Sequence, residues 1–281
     1  MGVIRAAETD RAEIEAFLAP LAQFAMFPLF NLRTHGMAGG HPYAVSFWVA
    51  RKSGRICDIL CQTDGGMVMP VLPSQDFAAA ARALQGRVVA GIVGPEQWAR
   101  GLQIAAGLVE APSTLDQDEP HFLLNMSDLA IPDGPGDIVP LSRPPEGIIK
   151  DWMLDYQLRT LNTPPAEALQ RVKDNYSQYC DARSHVVLMQ DGIPLAMTGF
   201  NARLPDIVQI GGVYTPPALR GKGYARRAIA LHLARAQAEG ATRATLFSAS
   251  DSATAAYRAI GFQQIGLWTL LLLQGKPVIH G

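Results

Sequence analysis

Cysteine is scarce in this chain, three residues in 281, at positions 57, 61 and 180. That number and scatter exclude a disulfide framework, and no second cysteine or histidine pair stands at zinc-site spacing from Cys57 and Cys61. Cys57 and Cys61 read as buried thiols, and no metal site is expected. Charge is sparse too, with 17% charged residues and a formal net charge of −1. Such a balance gives no general attraction for nucleic acid or for an anionic membrane surface. Long apolar runs are missing: Leu267 to Leu273 is far short of a membrane span and reads as a buried strand. Early acids (Glu8, Asp10, Glu13, Glu15) replace the basic-then-apolar profile of a signal segment, so a reducing, cytoplasmic setting is expected. Gly-x-Ser-x-Gly is absent, which removes the nucleophile elbow of serine hydrolases.

What is present is a hydrophobic fraction of 48% in a length that suits two domains of about 140 residues. Alternating runs and turn signals predict a mixed α+β chain. The first half reads as a helix over 8–18, a hairpin of Tyr43 to Ala50 with Arg55 to Cys61, and a strand Met67 to Leu72. Helix, strand and helix follow to Gly107, and then a strand at Phe122 to Met126. Residues 131–147 are dense in Pro and Gly, the composition of an inter-domain linker, so domains are expected at 1–138 and 139–281. The second half predicts two helices, a hairpin around Asp191-Gly192, a strand Ile207 to Tyr214, a helix from 222 to 239, a strand, a helix and a final strand. The halves share this order, and Ala90 to Pro95 takes the place of Ile210 onward without a Gly-x-Gly turn or a counterpart of Arg220.

The chemistry-bearing segment is 211–225. An apolar strand is stopped by Pro216-Pro217, a turn carries Gly221 and Gly223, and a long Ala-rich helix follows. Strand, Gly-rich turn and helix start aim several N–H groups at one point, where an anion binds. The P-loop pattern fails because Gly221-Lys222 is followed by Gly223, and the dinucleotide fingerprint fails at Arg226. Arg-x-x-Gly-x-Gly/Ala is met by Arg220, Gly223 and Ala225, and Asn/Ser-x-x-Ala-x-x-x-Tyr-x-x-x-Gly-Phe by Ser250, Ala253, Tyr257, Gly261 and Phe262.

These two motifs, in order, resemble the GNAT superfamily of N-acetyltransferases. The resemblance is strong over roughly 145–275 and holds in outline for the first half, a tandem-GNAT layout with a degenerate N-terminal copy. It implies two domains, each a mostly antiparallel sheet flanked by helices, and an acetyl-CoA (coenzyme A) cofactor. Backbone groups at Val213, Tyr214 and Thr215 would then meet the pantetheine arm. Residues Arg220, Gly221, Lys222, Gly223, Tyr224 and Ala225 would hold the pyrophosphate, and Ser250 would cap its helix and touch the cofactor. Tyr257 would be the general acid. The implied activity is direct acetyl transfer to a primary amine, small-molecule or peptide, in a ternary complex. A longer acyl-CoA, or a non-catalytic acyl-CoA sensor or scaffold, is the alternative. No nucleic-acid or membrane partner is expected, and a homodimer is left open. Many relatives carry a glutamate base on the strand before the loop; here stand Gln209, Ile210, Gly211 and Gly212, and Asp206, Asp155 and Glu146 are the acids near enough to consider.

Overall fold

A computed structural model of the chain describes residues 2–37 and 39–279. In chain order the elements of the first half are β1 (Val3–Arg5), α1 (Arg11–Leu18), α2 (Ala22–His35), β2 (Val45–Lys52), β3 (Arg55–Thr63), β4 (Met67–Val71), α3 (Phe77–Ala83), β5 (Gly91–Pro95), α4 (Glu96–Ala105) and β6 (Ser113–Asn125). The second half carries β7 (Asp137–Pro140), α5 (Glu146–Arg159), α6 (Pro165–Asp181), β8 (His185–Gln190), β9 (Ile193–Arg203), β10 (Ile207–Tyr214), α7 (Tyr224–Ala238), β11 (Arg243–Phe247), α8 (Asp251–Arg258) and β12 (Gln263–Leu273). Mixed α+β structure with largely antiparallel sheets flanked by helices is the expected fold class.

Two compact units emerge, Met1–Glu119 with Gly266–Gly281, and Pro120–Ile265. Strand order in the first is β1-β2-β3-β4-β5-β12, and in the second β7-β8-β9-β10-β11-β6. Each sheet is antiparallel except for one parallel pair, β4 with β5 and β10 with β11. The two orders match position for position, with the last strand of each unit supplied by the other half of the sequence. By this order the counterpart of β10 is β4, one strand earlier than the Ala90 to Pro95 segment suggested.

The units do not divide at 138/139. The Pro/Gly-rich stretch expected as a linker lies inside the second unit, pinned by Arg227 of α7. Its guanidinium donates to the carbonyls of Pro132 (2.7 Å), Pro135 (3.2 Å) and Gly136 (3.1 and 3.2 Å). Turn-forming residues there bend the chain into β7 rather than release it.

In the first unit Pro20 sits in a 3-10 turn that joins α1 to α2, and the run Glu8–His35 is long and apolar enough by composition to cross a membrane. Ile14, Leu18, Met26, Leu29 and Leu32 from this run are fully buried in the core. The second unit packs two layers on its sheet. Ile229 and Leu233 of α7 and Tyr257 and Ile260 of the α8 region cover one face with Val208, Ile210 and Leu246. Ile149, Trp152, Met153 and Val172 of α5 and α6 cover the other with Val187, Met197 and Tyr214.

Candidate active site

The second unit's parallel pair builds the site. β10 and β11 stay in register only over Ile207–Gln209 against Arg243–Thr245, and beyond that β10 loses its β11 partner. On its other side β10 shifts register against β9 between Gly211 and Tyr214. Past Gln209 the side of β10 that faced β11 is therefore spared from regular ladder bonding. Gly212 adopts φ +60 there, a conformation that L side chains resist.

The chain then turns through Pro216-Pro217 into α7. Leu219 and Arg220 donate their N–H groups to Pro216 and Pro217 in a single 3-10 turn. Gly221 (φ +76) and Gly223 (φ +80) are both left-handed, and a Cβ at 221 would meet only open space. Gly223 is the N-cap of α7 and supplies no side-chain cap. The first helical bond is Arg227 N–H to the Gly223 carbonyl at 3.0 Å, so the N–H groups of the opening turn have no partner within the helix. With the helix dipole behind them they form an anion cradle. Arg220 folds back and donates from Nε to the Thr215 carbonyl at 3.0 Å, tying strand end to loop. Thr215 Oγ1 and Arg226 Nε are buried with no hydrogen-bond partner. Two orphaned polar atoms flanking an uncapped helix start fit a polar, anionic ligand that would complete them.

The first unit has no such opening. Its chain leaves β4 through Pro73-Ser74-Gln75 and enters α3 with Asp76 as N-cap, whose carboxylate accepts from Ala79 N–H at 3.1 Å. A side-chain carboxylate thus fills at α3 the place that has no side-chain cap at α7.

Ser250 caps α8, its Oγ accepting from Ala253 N–H at 3.3 Å. Gly261 is needed behind it: φ is +105, and a Cβ would lie 2.3 Å from the Asp128 carbonyl. Tyr257, 7% exposed, sits in the core layer that also receives Val213, edge-on to Phe262 at 6.1 Å. The expected acid therefore lies in the core layer against which Val213 of β10 packs. Tyr224 opens α7 and packs beside Leu188 and Ala228, and Lys222 is exposed.

Tyr214 turns its side chain to the opposite layer, where its hydroxyl donates to Asp155 Oδ2 at 2.9 Å and its ring lies 5.7 Å from Trp152. Burial, then the Asp155 carboxylate, push the Tyr214 hydroxyl up to about 12. Burial pushes Asp155 up, but hydrogen bonds from Arg159 and Tyr214, with the charges of Arg159 and Arg220, outweigh it and leave Asp155 below its ordinary value. Asp155 is thus a held anion. Asp206 pairs with Arg243 at 2.6 Å and Glu146 pairs with Lys150.

Three features had no part in the sequence-based site. Arg226 is one, and Gln209 and His185 are the others. Gln209 is 2% exposed, and its Nε2 donates to the Ile210 carbonyl at 2.6 Å while Oε1 has no partner. Glycines inside strands at 199, 211 and 212 were the available signal, since such glycines mark close approach by another group.

A splayed parallel pair, an uncapped Gly-framed helix start and a tyrosine on the next helix define an acyltransferase fold. The family assignment agrees: residues 148–262 match the model of the "Acetyltransferase (GNAT) family", and this domain belongs to that family. A GCN5-related N-acetyltransferase from Sphaerobacter thermophilus is similar in fold over 99% of this chain and 97% of its own, with 15% identity and a TM-score of 0.58. A GNAT-family acetyltransferase from Colwellia psychrerythraea covers 97% of this chain and 100% of its own, at 14% identity and TM-score 0.54. A tandem GNAT protein from the clavulanic acid biosynthesis pathway covers 96% and 98%, at 15% identity and TM-score 0.55. No curated protein matches the chain.

Proposed function

We propose that the second unit is an N-acetyltransferase that uses acetyl-CoA and a primary amine, small-molecule or peptide, by direct attack in a ternary complex. The carrying observation is the glycine-framed, uncapped start of α7 beside the orphaned Thr215 Oγ1 and Arg226 Nε. Bound acetyl-CoA supplies an electrophilic thioester carbonyl and a thiol leaving group. N–H groups at 221–225 would hold its pyrophosphate, with Arg220, Lys222 and Arg226 adding positive charge. Backbone groups of Val213, Tyr214 and Thr215, at the end of β10 past its last pairing with β11, would align the arm along β10. The Tyr257 hydroxyl would deliver a proton to the departing sulfur. Holding both reactants in the gap of β10 and β11 supplies the orientation that this chemistry chiefly needs.

The first unit is read as a degenerate copy, because Asp76 occupies its helix start. A cytoplasmic enzyme with no nucleic-acid or membrane partner suits the near-neutral charge and the buried apolar face of α1 and α2. The test is to titrate the protein with acetyl-CoA and then follow thiol release across a panel of amines. Saturable binding with amine-dependent release is expected. No binding refutes the cofactor assignment, turnover only with longer acyl-CoA changes the donor, and binding without turnover makes the protein a sensor.

A further inference from the structure

Acyl transfer to an amine releases a proton from nitrogen, and Gln209 on β10 cannot take it. His185 stands on the same sheet face, at the start of β8. It is the cross-strand neighbour of Gly199, which in turn faces Gly211 of β10. The imidazole lies flat over Gly199: a Cβ there would sit 2.1 Å from His185 Cδ2 and 2.2 Å from Nε2. Tyr179 of α6 stacks on the other side of the ring at 3.7 Å and 11°. Nδ1 is paired with Ser184 Oγ at 2.9 Å. The remaining edge points at the irregular stretch of β10, with Nε2 2.9 Å from where a Cβ of Gly212 would stand. The ring is 2% exposed, and Nε2 has no hydrogen-bond partner.

A histidine that serves packing alone ordinarily has both nitrogens satisfied. Here one nitrogen is pinned, both faces are covered, and the other nitrogen is left unpaired toward the register shift. If the pyrophosphate lies at 221–225 and the arm follows Thr215 to Val213, the acyl end falls at Gly212. We propose, resting on the acyl-transfer reading above, that His185 Nε2 is the proton acceptor for the attacking amine. The amine lone pair forms the C–N bond while its proton passes to Nε2. The C–S bond breaks with its electron pair on sulfur, which takes the Tyr257 proton. Proton return from His185 to Tyr257 through solvent restores both, so amine and thioester give amide and thiol. Acid and base approach from opposite layers, Tyr257 with α7 and α8, His185 beneath α6.

Burial pushes the His185 imidazole down to about 3, which keeps it neutral at neutral pH. Tyr179 on α6 is the titratable group stacked on it, and His232 on α7 feels its charge. Among the described residues no carboxylate bonds to it.

The test compares wild type with His185→Gln. The variant should bind acetyl-CoA within about twofold of wild type and lose on the order of 100-fold in kcat. Its kcat should rise with pH where the wild type is flat, because water must replace the imidazole. In wild type labelled with 15N-histidine, saturating acetyl-CoA should move the His185 Nε2 resonance. Wild-type turnover with a variant kcat within threefold and an unchanged pH profile overturns this assignment alone. An unmoved Nε2 resonance at acetyl-CoA saturation does the same, without depending on the variant's folding. Failure of wild type to bind acetyl-CoA overturns the reading of the loop, and this assignment with it.

Discussion

Mild acidification should weaken the second unit well before its carboxylates titrate. His185 and His232 are 2% and 4% exposed, and burial pushes both imidazoles from 6.5 down to about 3. His232 stacks on Phe200 at 3.8 Å, and its Nδ1 has no partner, so in the ligand-free fold neither ring is readily protonated. The native state thus binds fewer protons than the unfolded chain between these two values. Stability is fully present above pH 6.5 and falls as pH drops toward 3. At about 1.4 kcal/mol per pH unit for each group, pH 5 costs about 2 kcal/mol per histidine, or about 4 kcal/mol together. Against a typical total of about 5–15 kcal/mol that is a large fraction. The stabilisation that the depressed Asp155 contributes is fully present above its ordinary 3.8 and is lost only below it, outside the pH 7.5–5.0 range. Urea unfolding at pH 7.5, 6.5, 5.5 and 5.0, followed by the fluorescence of Trp152, gives the slope. His232→Gln should remove about half of it. A stability flat from pH 7.5 to 5.0, or a slope unchanged in His185→Gln/His232→Gln, refutes the reasoning.

Further outcomes follow from the same geometry. Gly223→Ala places a side chain at φ +80 in the anion cradle; it should lose about 1 kcal/mol of stability and at least about tenfold in acetyl-CoA affinity, read by urea unfolding and calorimetry. Tyr257→Phe should keep that affinity and lower kcat about 10²-fold or more, seen in steady-state thiol release. Gly199→Ala drives a Cβ into an imidazole that Tyr179 blocks from moving, and should cost about 1–3 kcal/mol in thermal or urea unfolding.

The turn between β10 and α7 was legible in the sequence because it is local. Two glycines with positive φ, Pro216-Pro217 and an Ala-rich helix are written in consecutive residues, and the Ser250 cap and Gly261 follow the same logic. Long-range pairing was not legible. Nothing in Ser113–Asn125 announces that it pairs with Arg243–Phe247, or in Gln263–Leu273 that it pairs with β5. The edge strands Val3–Arg5 and Asp137–Pro140 are too short to show alternation, and Pro28 inside α2 masks that helix. The domain cut failed at 131–147 because Pro and Gly report bending, and only the Arg227 contacts show that the bent segment is tied down. His185 was passed over because its role rests on side chains missing from neighbouring strands. Gly199, Gly211 and Gly212 gain that meaning only once the strands are paired.

Acetyl-CoA titration by calorimetry, wild type beside Gly223→Asp, tests the central claim most directly. Asp at the N-cap of α7 reproduces in the second unit the carboxylate-filled helix start that Asp76 gives the first. One site per chain in wild type, lost in Gly223→Asp while the variant still unfolds cooperatively, is the predicted result. Equal binding by both proteins, or two sites per chain, would contradict it.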